Sequence, residues 1–239
     1  MEGDLSCALI PHKEFFALNL ISQYLITIPA VLLAIMLHEL AHGYVAYRLG
    51  DPTARNMGRL TLNPLRHLDP VGALCMVFFH FGWARPVPVN PRYFRNPKNG
   101  MALTALAGPL SNLLFAFLSV PLFMLVSRSY IWVAVEYGID HFGARILLTL
   151  FYFLYYFHSV NLGLCLFNLI PLPPLDGSRI LFTFLPPKYY FSVMRYERYI
   201  AFGLMLFLLF GARIGLLDTI ATACSSLMQR AWSILPIFK

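Results

Sequence analysis

The sequence predicts an all-α polytopic membrane protein, with about four to six transmembrane helices and a membrane-associated re-entrant or extended segment. Three observations carry this. Hydrophobic residues make up 59% of the 239 residues and charged residues only 12%, against about 45–50% and about 25% in soluble domains. Apolar runs reach membrane-crossing length, as in 101–126, which is 26 residues without a charge. The basic residues gather in the intervals between these runs, as the positive-inside rule requires. The apolar surplus also excludes a disordered chain. No stretch is long and polar enough for an independent soluble domain, so 1–239 reads as one transmembrane domain. The net charge of +7 is then a topology signal, and nucleic acid is not expected as a partner.

Taken in order, the first apolar helix covers 18–49, enough to cross about 30 Å of hydrocarbon. Gly50-Asp51-Pro52 stops it. The interval 50–100 reads as a cytoplasmic and re-entrant region. Asn63-Pro64 and Asp69-Pro70 break the chain there. Val71–Trp83 is apolar but short, with basic flanks on both sides, so it reads as a membrane-dipping hairpin. Pro86, Pro88, Pro91 and Pro97 make 85–98 extended rather than helical. Further spans are expected at 101–127, where Gly108-Pro109 should kink the helix, at 145–170, and at 199–217. The tail, 218–239, reads as a surface helix or a weak last span.

Eight basic residues lie between Arg48 and Lys98, and four between Arg179 and Arg198. This places 48–100 and 171–198 in the cytoplasm, and the N-terminus and 128–145 outside. Residues 1–17 hold Glu2, Asp4 and Glu14 where a signal peptide would be basic, so none is expected. Cys7, Cys75, Cys165 and Cys224 form no CxxC pair. Neither a disulfide framework nor a cysteine metal site is indicated.

The chemistry sits in the first helix, at His38-Glu39-Leu40-Ala41-His42. Residues four apart on a helix share a face, so both imidazoles can hold one zinc ion. Glu39 then lies near enough to take a proton from a zinc-bound water. This H-E-x-x-H pattern arises by chance in roughly one chain of this length in a hundred. A carboxylate inside an apolar helix is costly enough to need a reason. A catalytic zinc requires a third protein ligand. The extended pattern H-E-x-x-H-x-x-G-x-x-H fails, because Val45 and Arg48 stand at its Gly and His positions. Glu136 and Glu197 fall in the expected loops. Asp176 is the best candidate: Pro171, Pro173 and Pro174 break the preceding helix and Gly177 lets the backbone turn. Irregular backbone at membrane depth is tolerated where it is buried in protein or lines a wet cavity.

These motifs resemble those of the site-2 protease family of intramembrane zinc metalloproteases. His38–His42 is similar to the family's zinc helix. Asn168 through Gly177 is similar to its N-x-x-P and L-D-G motif, and Gly108-Pro109-Leu110-Ser111-Asn112 to its G-P-x-x-N segment. Gly82 through Phe94 resembles the small prokaryotic branch. The likeness spans about 25–185, and neither the PDZ-like nor the CBS-like domain of larger relatives is expected. The resemblance implies one Zn2+ per chain held by His38, His42 and Asp176, with Glu39 as catalytic base and proton donor. It implies Asn168 near the scissile carbonyl and Asn112 along the substrate path. The implied partner is a single-span membrane protein within the lipid bilayer. The implied location is the inner membrane of a prokaryote.

The remaining candidates have plainer readings. His67 and His80 read as interfacial, His158 as a polar interhelix contact, and His12 and His141 as solvent-facing. Phe151–Phe157 reads as helix and lipid packing. Two other functions compete with proteolysis: a metal transporter, which would carry more ionisable groups along its spans, and an inactive scaffold, which would have lost Glu39 or a ligand.

Overall fold

The computed structural model describes residues 20–79, 85–186, 195–209 and 215–236. His12, Cys7, His80 and the acidic residues of 1–17 lie outside the described residues. The described chain is mainly helical, and no strand occurs among the described residues. Three helices are long and apolar enough to cross a membrane: Gln23–Arg48, Pro97–Tyr137 and Phe142–Asn168. The protein is an all-α membrane protein.

Helix α1 runs Leu20–Arg48 and passes through Pro29. It stops where expected. Gly50 takes φ +108°, a conformation cheap only for glycine. The N–H groups of Gly50 and Asp51 cap the carbonyls of Tyr47 and Ala46 at 3.1 and 3.0 Å. This Schellman arrangement satisfies the last turn. The Asp51 carboxylate is fully buried. It accepts from Thr53 N–H at 2.9 Å and from Asn90 N–H at 2.6 Å. One residue thus starts the short helix α2 (Thr53–Asn56) and holds a segment almost forty positions away.

Helix α3 (Pro70–Phe79) has 10 residues and covers about 15 Å, half a bilayer core. The backbone N–H of Arg85 donates to the carbonyl of His67 at 2.8 Å. The two ends of the 67–85 interval therefore lie together, and 80–84, with the rest of the expected dipping hairpin, lie outside the described residues. His67 itself is buried, with Nε2 on the Thr61 carbonyl at 2.9 Å, and so is a loop staple rather than an interfacial group. The 85–90 stretch is irregular and non-helical, followed by a 3-10 turn at Pro91–Tyr93.

Helix α4 is longer than expected. It runs Pro97–Tyr137, 41 residues, or about 60 Å. The expected end at 127 and outer loop of 128–145 are corrected to a helix reaching Tyr137 and a turn at 138–141. Isolated charges at Arg128 and Glu136 suggest a loop, but no Gly or Pro interrupts 122–137, and Gly138 at φ +90° ends the helix. The helix is continuous through Pro109 and Pro121. The side chain of His141 caps helix α5, Phe142–Asn168.

Helices α1, α4 and α5 pack on one another. Ala30 and Ala34 are fully buried against Phe157, Phe153 and Phe115. Small residues facing aromatic ones bring helices close where lipid supplies no hydrophobic drive. After Pro171–Leu175, helix α6 (Asp176–Phe184) returns to pack on α4. The expected 199–217 span corresponds to α7 (Glu197–Leu209) and the start of α8 (Gly215–Ser233), with 210–214 outside the described residues. Helix α8 leans on α4 and α5. His158 joins them: Nδ1 meets the Ala116 carbonyl at 2.9 Å and Nε2 meets Ser225 Oγ at 3.0 Å. Trp232 Nε1 donates to the Phe117 carbonyl at 3.1 Å.

Candidate active site

Helix α1 carries His38 and His42 one turn apart, so both side chains leave the same face. Helix α4 lies against that face with residues at the same spacing. The Thr104 carbonyl meets Nδ1 of His42 at 2.7 Å, and the Asn112 amide nitrogen lies 3.1 Å from Nδ1 of His38. Between them Gly108 leaves no room for a side chain. A Cβ there would stand 2.4 Å from Nε2 of His42 and 2.5 Å from Cε1 of His38. Positions 104, 108 and 112 thus form one stripe along α4, antiparallel to 42 and 38.

The third group comes from across the fold. The Pro-rich 171–175 segment reverses the chain, and Gly177 lets it fold tightly; a Cβ at 177 would lie 2.3 Å from the Leu169 carbonyl oxygen. The Asp176 Oδ2 then lies 3.2 Å from Nε2 of His38 and 3.2 Å from Nε2 of His42. The two Nε2 atoms are 3.0 Å apart.

This triangle fits a metal. Three ligands of a tetrahedral zinc with bonds of about 2.0–2.1 Å lie about 3.3 Å from one another. The donor set is also right. The Thr104 carbonyl can only accept, so the proton of a neutral His42 sits on Nδ1 and its Nε2 lone pair faces the triangle. Among the described residues, His38, His42 and Asp176 are the one group that could hold a metal ion.

The triangle opens into a cleft of about 270 Å³. Glu39, Asn168 and Arg179 line it together with the extended segment at Pro86, Val87 and Val89. The backbone N–H of Val87 donates to Glu39 Oε2 at 2.8 Å. Asn168 donates one amide hydrogen to the Leu164 carbonyl at 3.0 Å, which leaves the other for the cleft. Arg59 braces the segment from outside: its guanidinium donates to the carbonyls of Arg85 and Pro86, at 2.5 and 3.3 Å.

Of the residues expected from sequence, His38, Glu39, His42, Asn168 and Asp176 meet at this cleft. Asn112 does not line it. It is fully buried behind His38, so its placement on a substrate path is corrected. The residue is directed inward because it lies on the stripe of α4 that faces the imidazoles. Sequence reasoning missed the Thr104 carbonyl, the Val87 N–H, Arg59 and Arg179. The spacing of four through Thr104, Gly108 and Asn112 carries a signal for the first. Arg179 stands one turn after Asp176. The role of a backbone N–H leaves no mark in side-chain identity.

Comparison with known proteins agrees with this chemistry. Residues 26–211 match the family described as "Peptidase family M50". The chain is 41% identical over 197 residues to "Putative zinc metalloprotease YwhC" of Bacillus subtilis, covering 81% of this chain and 82% of that protein. It is 27% identical over 233 residues to "Putative zinc metalloprotease Rip2" of Mycobacterium tuberculosis, covering 88% and 82%. No solved structure matches the chain. With a family match over most of its length and a group able to hold a metal where its H-E-x-x-H helix meets Asp176, the chain belongs to peptidase family M50, the site-2 protease family, and is a zinc metallopeptidase.

Proposed function

We propose that this protein cleaves peptide bonds in or beside the transmembrane segments of single-span membrane proteins, as a step of regulated intramembrane proteolysis. The observation that carries this reading is position. His38, Glu39 and His42 belong to a helix apolar enough to cross a membrane, and their cleft is walled by irregular backbone from two distant segments. Polar groups so placed call for a function. We read the protein as multi-pass in the inner membrane of a prokaryote, with the N-terminus outside.

His38, His42 and Asp176 would hold the zinc. A zinc ion held there would supply Lewis-acid polarisation of the scissile carbonyl and would lower the pKa of a bound water toward ~7. Glu39 takes the proton of the attacking water and passes it to the leaving amine. The Val87 N–H holds one Glu39 oxygen and so points the other into the cleft. The free amide hydrogen of Asn168 is available to the oxygen that gains negative charge. A helical substrate hides its carbonyls in its own hydrogen bonds, so it must be extended before cleavage. The non-helical 85–90 segment lines the cleft through Pro86, Val87 and Val89, where its backbone can pair with such a strand.

The test is zinc content and cleavage by purified full-length protein in detergent, with Glu39→Gln alongside and a panel of helix-destabilised single-span peptides. Stoichiometric zinc in both proteins, with cleavage by the wild type alone, is the expected result. Wild-type protein without zinc would overturn the reading and favour a transporter or scaffold.

A further inference from the structure

The two imidazoles are held by different kinds of group. For Nε2 to be free for a metal, the single proton of each neutral ring must sit on Nδ1, and that proton needs an acceptor. At His42 the acceptor is the Thr104 carbonyl, 2.7 Å away. A backbone carbonyl cannot donate, so the tautomer of His42 is set by the helix itself. At His38 the neighbour is the Asn112 side-chain amide, 3.1 Å away, and an amide can present either end.

The two presentations have opposite consequences. With the Asn112 nitrogen toward His38, Nδ1 accepts and the ring proton moves to Nε2, where it donates to Asp176. In that arrangement Asn112 Oδ1 is buried without a hydrogen-bond partner. With the oxygen toward His38, Nδ1–H donates to it and Nε2 offers its lone pair to the triangle. Asn112 is fully buried and shares no wall with the cleft, so its side chain addresses His38 rather than substrate.

We propose that Asn112 is a positioning residue for His38: its side-chain carbonyl accepts the Nδ1 proton in the zinc-loaded protein and keeps Nε2 turned to the metal. This rests on the reading of His38, His42 and Asp176 as the ligands. His42 is then the ligand set by backbone, and His38 the ligand set by a side chain that selection or mutation can alter. An aspartate at 112 retains the acceptor; a leucine of similar size removes it.

The experiment measures zinc affinity of the purified full-length protein in detergent by competition with a chelating dye, for wild type, Asn112→Asp and Asn112→Leu. Asn112→Leu should weaken zinc binding about 10–100-fold, while Asn112→Asp stays near wild type. Wild-type affinity in Asn112→Leu would overturn the proposal alone, as would equal losses in Leu and Asp. Wild-type protein that binds no zinc would sink the ligand reading, and this proposal with it. A measurement without variants guards against misfolding: proton and nitrogen NMR of isotope-labelled histidine in zinc-loaded wild type. It should find the His38 Nδ1 proton shifted downfield by a hydrogen bond, and an Nδ1 proton at the shift of an unbonded N–H would overturn the proposal.

Discussion

The two walls of the cleft are built in opposite ways. The helical wall is α1 against α4. His38, Glu39 and His42 follow one another on a single turn, and Thr104, Gly108 and Asn112 back them at matching intervals. The irregular wall is the 85–90 segment and the 171–175 turn. It has no ladder of its own, and charged side chains from elsewhere hold it. Asp51 takes the N–H of Asn90, Arg59 takes the carbonyls of Arg85 and Pro86, and Glu39 takes the N–H of Val87. The difference teaches where metal and substrate are separately controlled. Changes to the helical wall should act on zinc. Changes to the irregular wall should act on the substrate and on the pose of the base, with zinc unchanged. The exception is Asp176, a member of the metal-fitting triangle that the irregular wall delivers.

The sharpest way to break the comparison is at the ligands. His42→Ala and Asp176→Asn should both lose stoichiometric zinc and reduce cleavage to background, although they belong to opposite walls; metal analysis and peptide cleavage check this. Glu39→Gln should follow, with cleavage lower by about 10²–10⁴-fold, the range for a lost general base. Its zinc content should equal wild type, and co-loss of zinc would mean that Glu39 serves the metal.

Gly108→Ala tests the helical wall without replacing any of the three residues at the triangle. Its Cβ would stand 2.4 Å from His42 Nε2, an overpacking worth about 1–3 kcal/mol. Zinc affinity should fall accordingly, with the dye assay as readout. Val87→Pro tests the irregular wall. It removes one N–H from a carboxylate, a bond worth about 1.5–3 kcal/mol, in a segment already rich in proline. The turnover number should fall while zinc affinity holds. The smallest effect on the chemistry belongs to His158→Phe, which removes the tie between α5 and α8. It should lower thermal stability by about 1–3 kcal/mol and leave zinc content unchanged.

How much of this was legible depends on the distance over which each feature is encoded. The zinc pair was legible because helical period is local: residues four apart share a face whatever surrounds them. The end of α1 was legible because Gly50 and Pro52 are themselves the stop signal. The end of α4 was not. Arg128 and Glu136 look like loop charges, and only the absence of a helix breaker before Gly138 argues otherwise. Asp176 could be nominated by its prolines and glycine, but its distance to two histidines more than 130 positions away was beyond local reasoning. Asn112 was recognised as part of a motif and given the wrong direction, because its facing depends on how α4 rotates against α1.

The sequence by itself determined the all-α membrane class, the helix that carries the H-E-x-x-H motif and the candidate side chains for the metal. These follow from composition, from the 3.6-residue period and from the small set of side chains that bind zinc. Only the tertiary structure decided which backbone carbonyl orients His42, that Asn112 faces His38, and that the N–H of Val87 rests on Glu39. Each of these is a contact between segments distant in sequence. Two of the three use backbone atoms, which every residue shares and no residue letter can signal.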